Sequence, residues 1–140
     1  MRSLFIFVWC VAILIFTCTS SFHDLIQLGV LRFRLESQPT FSDFLSPLPY
    51  ELSKEFLLQK VGHILVFQVL TILLLMKFKS HLMILAMAAS FAALTEILQL
   101  YFNRGGRAFD FGFDLIGILM ALGIAGFFKI NRSQQINLKN

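Results

Sequence analysis

Four long apolar runs constrain this chain more than any other feature. Leu4 to Phe16 continues through Thr17, Cys18 and Thr19. Val61 to Met76 carries no charge between Lys60 and Lys77. Leu82 to Phe102 carries one charge, Glu96, and Leu115 to Phe128 carries none and begins beside Asp114. A helix crosses the hydrocarbon core of a bilayer with about 20 apolar residues, in a range of about 17–25. Lipid cannot satisfy loose backbone groups, so helices are the expected element. The second and fourth runs are slightly short, and Lys60, Lys77 and Lys129 at their ends are expected to snorkel toward the interface. Only 14% of the residues are charged and 57% are hydrophobic, whereas soluble domains are roughly one quarter charged. The sequence therefore predicts an all-α polytopic membrane protein with about four transmembrane helices. It divides into a first helix over residues 1–19, a long extracytoplasmic loop over 20–59, a three-helix membrane core over 60–130 and a polar tail over 131–140.

The first run has a second reading. Met1-Arg2, an apolar stretch and Thr19-Ser20-Ser21 also fit a secretory signal peptide. A retained helix is favoured, because the run is long enough to cross and no Ala-x-Ala site follows it. Basic residues set the orientation. With the N-terminus inside, Arg2, Lys77, Lys79, Lys129, Arg132 and Lys139 lie inside, and Arg32, Arg34, Lys54, Lys60, Arg104 and Arg107 lie outside. The inner group is concentrated in short segments near helix ends, as the positive-inside rule requires. Both termini are thus expected in the cytoplasm. The loop over 20–59 mixes Phe22, Leu25, Ile26, Leu28, Val30, Leu31 and Phe33 with Pro39, Pro47 and Pro49. It reads either as an ordered loop with no site of its own or as one or two amphipathic helices on the membrane surface. Cys10 and Cys18 are eight apart on one helix, too far for a disulfide, and read as small apolar residues.

The informative residues are the polar ones that a membrane should exclude. His63 lies one turn into the second run, Glu96 and Gln99 near the end of the third, and Asp110 and Asp114 at the start of the fourth. Under the expected topology all five fall near the outer ends of their helices. A charged side chain at mid-bilayer costs about 2.5–3.5 kcal/mol on insertion scales, and less near the interface, so partners or water are required. Glu96 and Gln99 are i, i+3 and share a face, as do Asp110 and Asp114 at i, i+4. His63, Phe67 and Thr71 form a third face. Ala86, Ala89 and Ala93 on the third helix, and Gly117, Ala121 and Ala125 on the fourth, predict close packing of those two helices along small-residue stripes. Arg104 and Arg107 arrive beside the carboxylates. They serve either to balance Glu96 and Asp110 or as an arginine fork for phosphate or carboxylate.

Taken together, Lys60-x-x-His63 with Phe67, Glu96-x-x-Gln99, Arg107-x-x-Asp110 and Asp110-x3-Asp114-x-x-Gly117 resemble the VanZ-like family of small bacterial membrane proteins. The resemblance covers about Lys60 to Gly126. Asp114 departs from it, standing where that family usually has Asn. The resemblance implies a bacterial cytoplasmic membrane protein, and its namesake is linked to low-level resistance to teicoplanin, a lipid-tailed glycopeptide.

Two functions from different classes fit these residues. In the first, an outer-leaflet polar pocket binds or excludes an amphipathic envelope molecule such as a glycolipid, a lipid-linked wall precursor or a lipoglycopeptide antibiotic. Glu96, Gln99, Arg104, Arg107 and Asp114 then meet its head group. In the second, a membrane-embedded enzyme modifies such a molecule, with His63 as general base and Glu96 or Asp110 orienting it. No cofactor is expected, although a divalent metal held by His63, Glu96, Asp110 and Asp114 is a variant of the second reading. Membrane lipid is the expected surrounding partner. Nucleic acid is not expected, because the basic residues behind the net charge of +4 are split between two faces. No nucleophilic Ser or Cys motif is present.

Overall fold

The computed structural model of the chain describes residues 1–19, 28–36, 38–39, 41–45, 53–102 and 107–137. Those residues form four α-helices: α1 (Arg2–Cys18), α2 (Lys54–Leu75), α3 (His81–Tyr101) and α4 (Ala108–Asn137). A short 3-10 turn, Phe41–Leu45, lies between α1 and α2, and there is no strand among the described residues. Stretches within α2, α3 and α4 (Phe56–Leu75, His81–Tyr101 and Ala108–Lys129) are long and apolar enough to cross a membrane. At 17 residues α1 is a shorter apolar helix.

The helix starts follow from local chemistry. The first backbone N–H groups of a helix have no partner within it, and a serine before the first turn supplies one. The Ser53 hydroxyl accepts from Phe56 N at 3.1 Å, and that of Ser80 from Met83 N at 3.3 Å. The Ser53 cap explains why α2 begins at Lys54, about two turns before the apolar run at Val61. Lys60 therefore lies inside the helix. It does not snorkel as expected: it is buried. At the other end, α4 continues as helix through Asn131 to Asn137.

Polarity in the bundle is inverted relative to a soluble protein. Leu57, Leu65, Val69 and Ile72 of α2 face outward, as do Met83, Met87, Leu94 and Ile97 of α3 and Ile116, Leu119, Ile124 and Phe127 of α4. An apolar belt of this kind has lipid as its natural solvent. The interior holds Ile13, Phe67, Leu70, Leu74, Ile84, Ala88, Ala92 and Ile118, drawn from all four helices. Buried threonines satisfy their hydroxyls within their own helices: Thr17 donates to Ile13 O, Thr71 to Phe67 O and Thr95 to Ala92 O.

Helix α1 runs antiparallel to α2. A guanidinium nitrogen of Arg2 donates to Met76 O at 2.7 Å, and Trp9 Nε1 donates to Val66 O at 2.9 Å. The other end of the bundle gathers the end of α1, the start of α2, the end of α3 and the start of α4. The described part of the long loop lies across it. Arg32 N donates to Thr19 Oγ1 at 3.4 Å, Glu36 N donates to Tyr101 O at 2.7 Å, and Phe33 meets Phe102 edge-on at 6.1 Å. Of the amphipathic surface helices weighed for this loop, the described residues show only the Phe41–Leu45 turn, and residues 20–27 and 46–52 lie outside the described set.

The expected packing of α3 on α4 along two small-residue stripes is corrected by the structure. On α4 Gly117 and Ala121 are buried, but Gly117 meets α2: a Cβ built on it would overlap Ile64 O. On α3 the buried small residues are Ala88 and Ala92, whereas Ala86 is exposed and Ala89 and Ala93 are half-buried. The reason is the register that Glu96 imposes. Its side chain must face inward, and residues four and eight before it follow it onto the buried face. Gly117→Ala is expected to lower bundle stability by at least about 1–3 kcal/mol, the usual range for overpacking. Gly123→Ala, where the added Cβ meets nothing within 4 Å, should be near neutral. Unfolding of both variants in mixed micelles checks this, and equal stability would contradict the close approach.

Candidate functional site

Three helices bring their polar residues to the loop-covered end of the bundle. From α2 come Lys60 and His63, one turn apart on the buried face that continues through Phe67 and Thr71. From α3 come Glu96 and Gln99, and from α4 Asp110 and Asp114. All six are buried, and Glu96 and Asp114 have no solvent exposure. Apolar surroundings strengthen every interaction among such groups and penalise any left alone.

Two subclusters result. In the first, Lys60 Nζ pairs with Asp110 Oδ1. The ammonium also lies 4.6 Å from the Phe56 ring centroid and 5.1 Å from that of Phe109. A lysine between two aromatic faces and a carboxylate exchanges hydration for cation–π and ionic contacts. In the second, His63 Nδ1 is 2.8 Å from Asp114 Oδ1 and 3.8 Å from Glu96 Oε1. Gln99 Nε2 donates to Glu96 Oε1 at 2.8 Å, and Arg107 N donates to Glu96 Oε2 at 3.0 Å. Both oxygens of Glu96 are thus held. Asp114 Oδ2 is buried and has no hydrogen-bond partner among the described residues.

His63, Glu96, Gln99 and Asp114 come together. The structure sets Asp114 against His63, where the sequence reading had set Glu96 or Asp110. Asp110 belongs instead with Lys60, one helical turn from Asp114. The Arg107 guanidinium lies 5.6 Å from the Phe109 ring centroid, and the residue reaches Glu96 through its backbone N–H. Arg104 lies outside the described residues. Lys60 was read as a flanking residue and proves to be the buried cation of the site. Its spacing to His63, i, i+3 on one helix face, was the signal that could have placed it there.

A second feature shares this end of the bundle. A shallow, open and wholly apolar groove of about 290 Å³ lies between α1 and α3, lined by Val11, Leu14, Ile15, Cys18, Leu98 and Phe102 and bounded by Phe33 of the loop.

Comparison with known proteins agrees with the membrane character. Over 117 residues the chain is 36% identical to the uncharacterized membrane protein YwnJ of Bacillus subtilis (strain 168), across 83% of this chain and 84% of that protein. The chain belongs to the family of YwnJ. No protein-family profile matches it, and no solved structure does.

The Lys60–Asp110 pair yields a stability prediction. Lys60→Met leaves a buried carboxylate without its cation, which is expected to cost about 3–5 kcal/mol. Lys60→Met combined with Asp110→Asn removes both charges and should recover most of that loss. Denaturant unfolding in mixed micelles measures the cycle. A double variant no more stable than Lys60→Met alone would show that the pair is not what holds α2 to α4 at this level.

Proposed function

We propose that the chain is a multi-pass cytoplasmic-membrane protein of the VanZ-like type whose polar cluster, at the outer end of the bundle, engages the head group of an amphipathic envelope molecule. One observation carries this reading. The residues on which the VanZ-like resemblance rests (Lys60, His63, Glu96, Gln99, Arg107, Asp110 and Asp114) are remote in sequence, yet they lie at one end of the bundle in two adjoining groups. A membrane helix keeps ionisable side chains at a cost, and their concentration in one place is the mark of a shared task. The open apolar groove between α1 and α3 gives such a molecule's tail a surface at the same end of the bundle. The reading takes α1 as a further crossing, with both termini in the cytoplasm. Glycolipids, lipid-linked wall precursors and lipoglycopeptides have the required shape: a polar head at the outer interface and an apolar tail in the bilayer.

The hydrogen bond between His63 and Asp114 favours a second reading, an enzyme acting on such a molecule. A carboxylate against one imidazole nitrogen fixes the tautomer and leaves the other nitrogen to move a proton. In that reading His63 is the general base, Asp114 its positioning residue, and Glu96 the charge beside it.

Purified protein in nanodiscs, incubated with a lipid-linked wall precursor or with teicoplanin, separates the two. Native mass spectrometry reads binding, and product analysis by mass reads turnover. Stoichiometric binding without turnover, weakened at least tenfold by Glu96→Gln at equal protein level and insertion, is the result expected of a binder. Product formation abolished by His63→Ala would establish the enzyme. Neither binding nor product with either molecule would sink the reading for those classes of ligand.

A further inference from the structure

We infer that His63, Glu96 and Asp114 form a binding site for one divalent first-row transition-metal ion. Each residue presents one ligand atom, and the three atoms all lie within 4.8 Å of one another. Ligands about 2.0–2.2 Å from an ion, spread tetrahedrally or octahedrally, lie about 2.8–3.6 Å apart. The observed separations from His63 Nδ1, 2.8 Å to Asp114 Oδ1 and 3.8 Å to Glu96 Oε1, bracket that range. No separation exceeds 4.8 Å, so the side chains must draw in by at most about 1.2 Å to close the shell.

The independent observation is Asp114 Oδ2. This oxygen is buried in a residue with no solvent exposure, and no donor among the described residues reaches it. A buried carboxylate oxygen without a donor is costly unless a cation or proton meets it. Charge balance points the same way. Lys60 and Asp110 neutralise each other, leaving two carboxylates with one imidazole, which supplies at most a single positive charge. A divalent ion with a neutral imidazole balances Glu96 and Asp114 completely.

The surroundings are those of a supported ligand set. Gln99 Nε2 and Arg107 N both donate to Glu96 and fix its orientation, the role that outer hydrogen bonds play around metal ligands. One imidazole nitrogen and two carboxylate oxygens suit Zn²⁺ or Mn²⁺ better than Mg²⁺, which prefers oxygen and water. Three protein ligands also leave a position for water or for an oxygen of a bound head group. The site stands whether or not an envelope lipid is the ligand.

The test uses the full chain in detergent, with any affinity tag removed, stripped with chelator and then titrated with Zn²⁺ and with Mn²⁺. We expect one equivalent retained after desalting and a rise in the thermal midpoint. His63→Ala and Asp114→Asn should each weaken binding by at least tenfold, and Gln99→Ala by about tenfold. His81→Ala, at the opposite end of the bundle, should change nothing. X-ray absorption on the Zn²⁺-loaded wild-type protein should show one imidazole and otherwise oxygen ligands, a reading that needs no variant to fold. Retention below a tenth of an equivalent, equal retention in His63→Ala, or a shell without imidazole would each overturn the site, the last two identifying an adventitious ion only.

Discussion

Charge that water cannot reach must be met by charge or by hydrogen bonds from within, and the rest of this structure depends on how that is done. Lys60, His63, Glu96, Gln99, Asp110 and Asp114 are buried in an otherwise apolar bundle. Each is answered by a group on a neighbouring helix or on its own: Lys60 by Asp110, His63 by Asp114, Glu96 by Gln99 and the backbone of Arg107. Because these partners sit on three different helices, meeting them fixes how α2, α3 and α4 are rotated and how deep each lies relative to the others. Hydrocarbon packing alone is a poor guide to register in lipid, since one apolar side chain substitutes well for another.

Close approach makes those contacts possible. Gly117 lets α4 come so near α2 that a single carbon on it would collide with Ile64 O. Three residues earlier on α4 stands Asp114, and one residue before Ile64 on α2 stands His63, so the glycine contact lies directly beside their hydrogen bond. At the other end Arg2 ties α1 to the carbonyl of Met76, just past α2, and nearer mid-helix Trp9 ties it to that of Val66. A bundle closed at both ends in this way presents its large apolar side chains outward.

The chemistry of the site follows from asymmetry between its two halves. The Lys60–Asp110 half is closed on itself and sandwiched by Phe56 and Phe109, the arrangement of a structural pair. The His63–Glu96–Asp114 half carries more acceptors than donors, and one of its oxygens, Asp114 Oδ2, has no partner among the described residues. A deficit of positive charge in a buried place is what a proton or a metal ion would fill.

Much of this was legible in the amino-acid sequence. Runs such as Leu82 to Phe102 dictate membrane-length helices, because hydrocarbon excludes unpaired backbone. Helical periodicity puts Glu96 with Gln99, and His63 with Phe67 and Thr71, on single faces. Other features were not legible, for identifiable reasons. Lys60 looks like an interfacial anchor until the Ser53 cap starts its helix about two turns early. The alanine stripe on α3 is misread by one position, since Ala86, Ala89 and Ala93 are as small as Ala88 and Ala92, and only the inward demand of Glu96 distinguishes them. Which carboxylate faces His63 is likewise undetermined by spacing, because Asp110 and Asp114 lie on the same face of α4. The sequence by itself determined the solvent, the helices and the residues that had to find partners. The tertiary structure decided which partner each one found, because periodicity fixes a face within one helix, while the rotation and depth between helices are set by contacts such as Gly117 against Ile64.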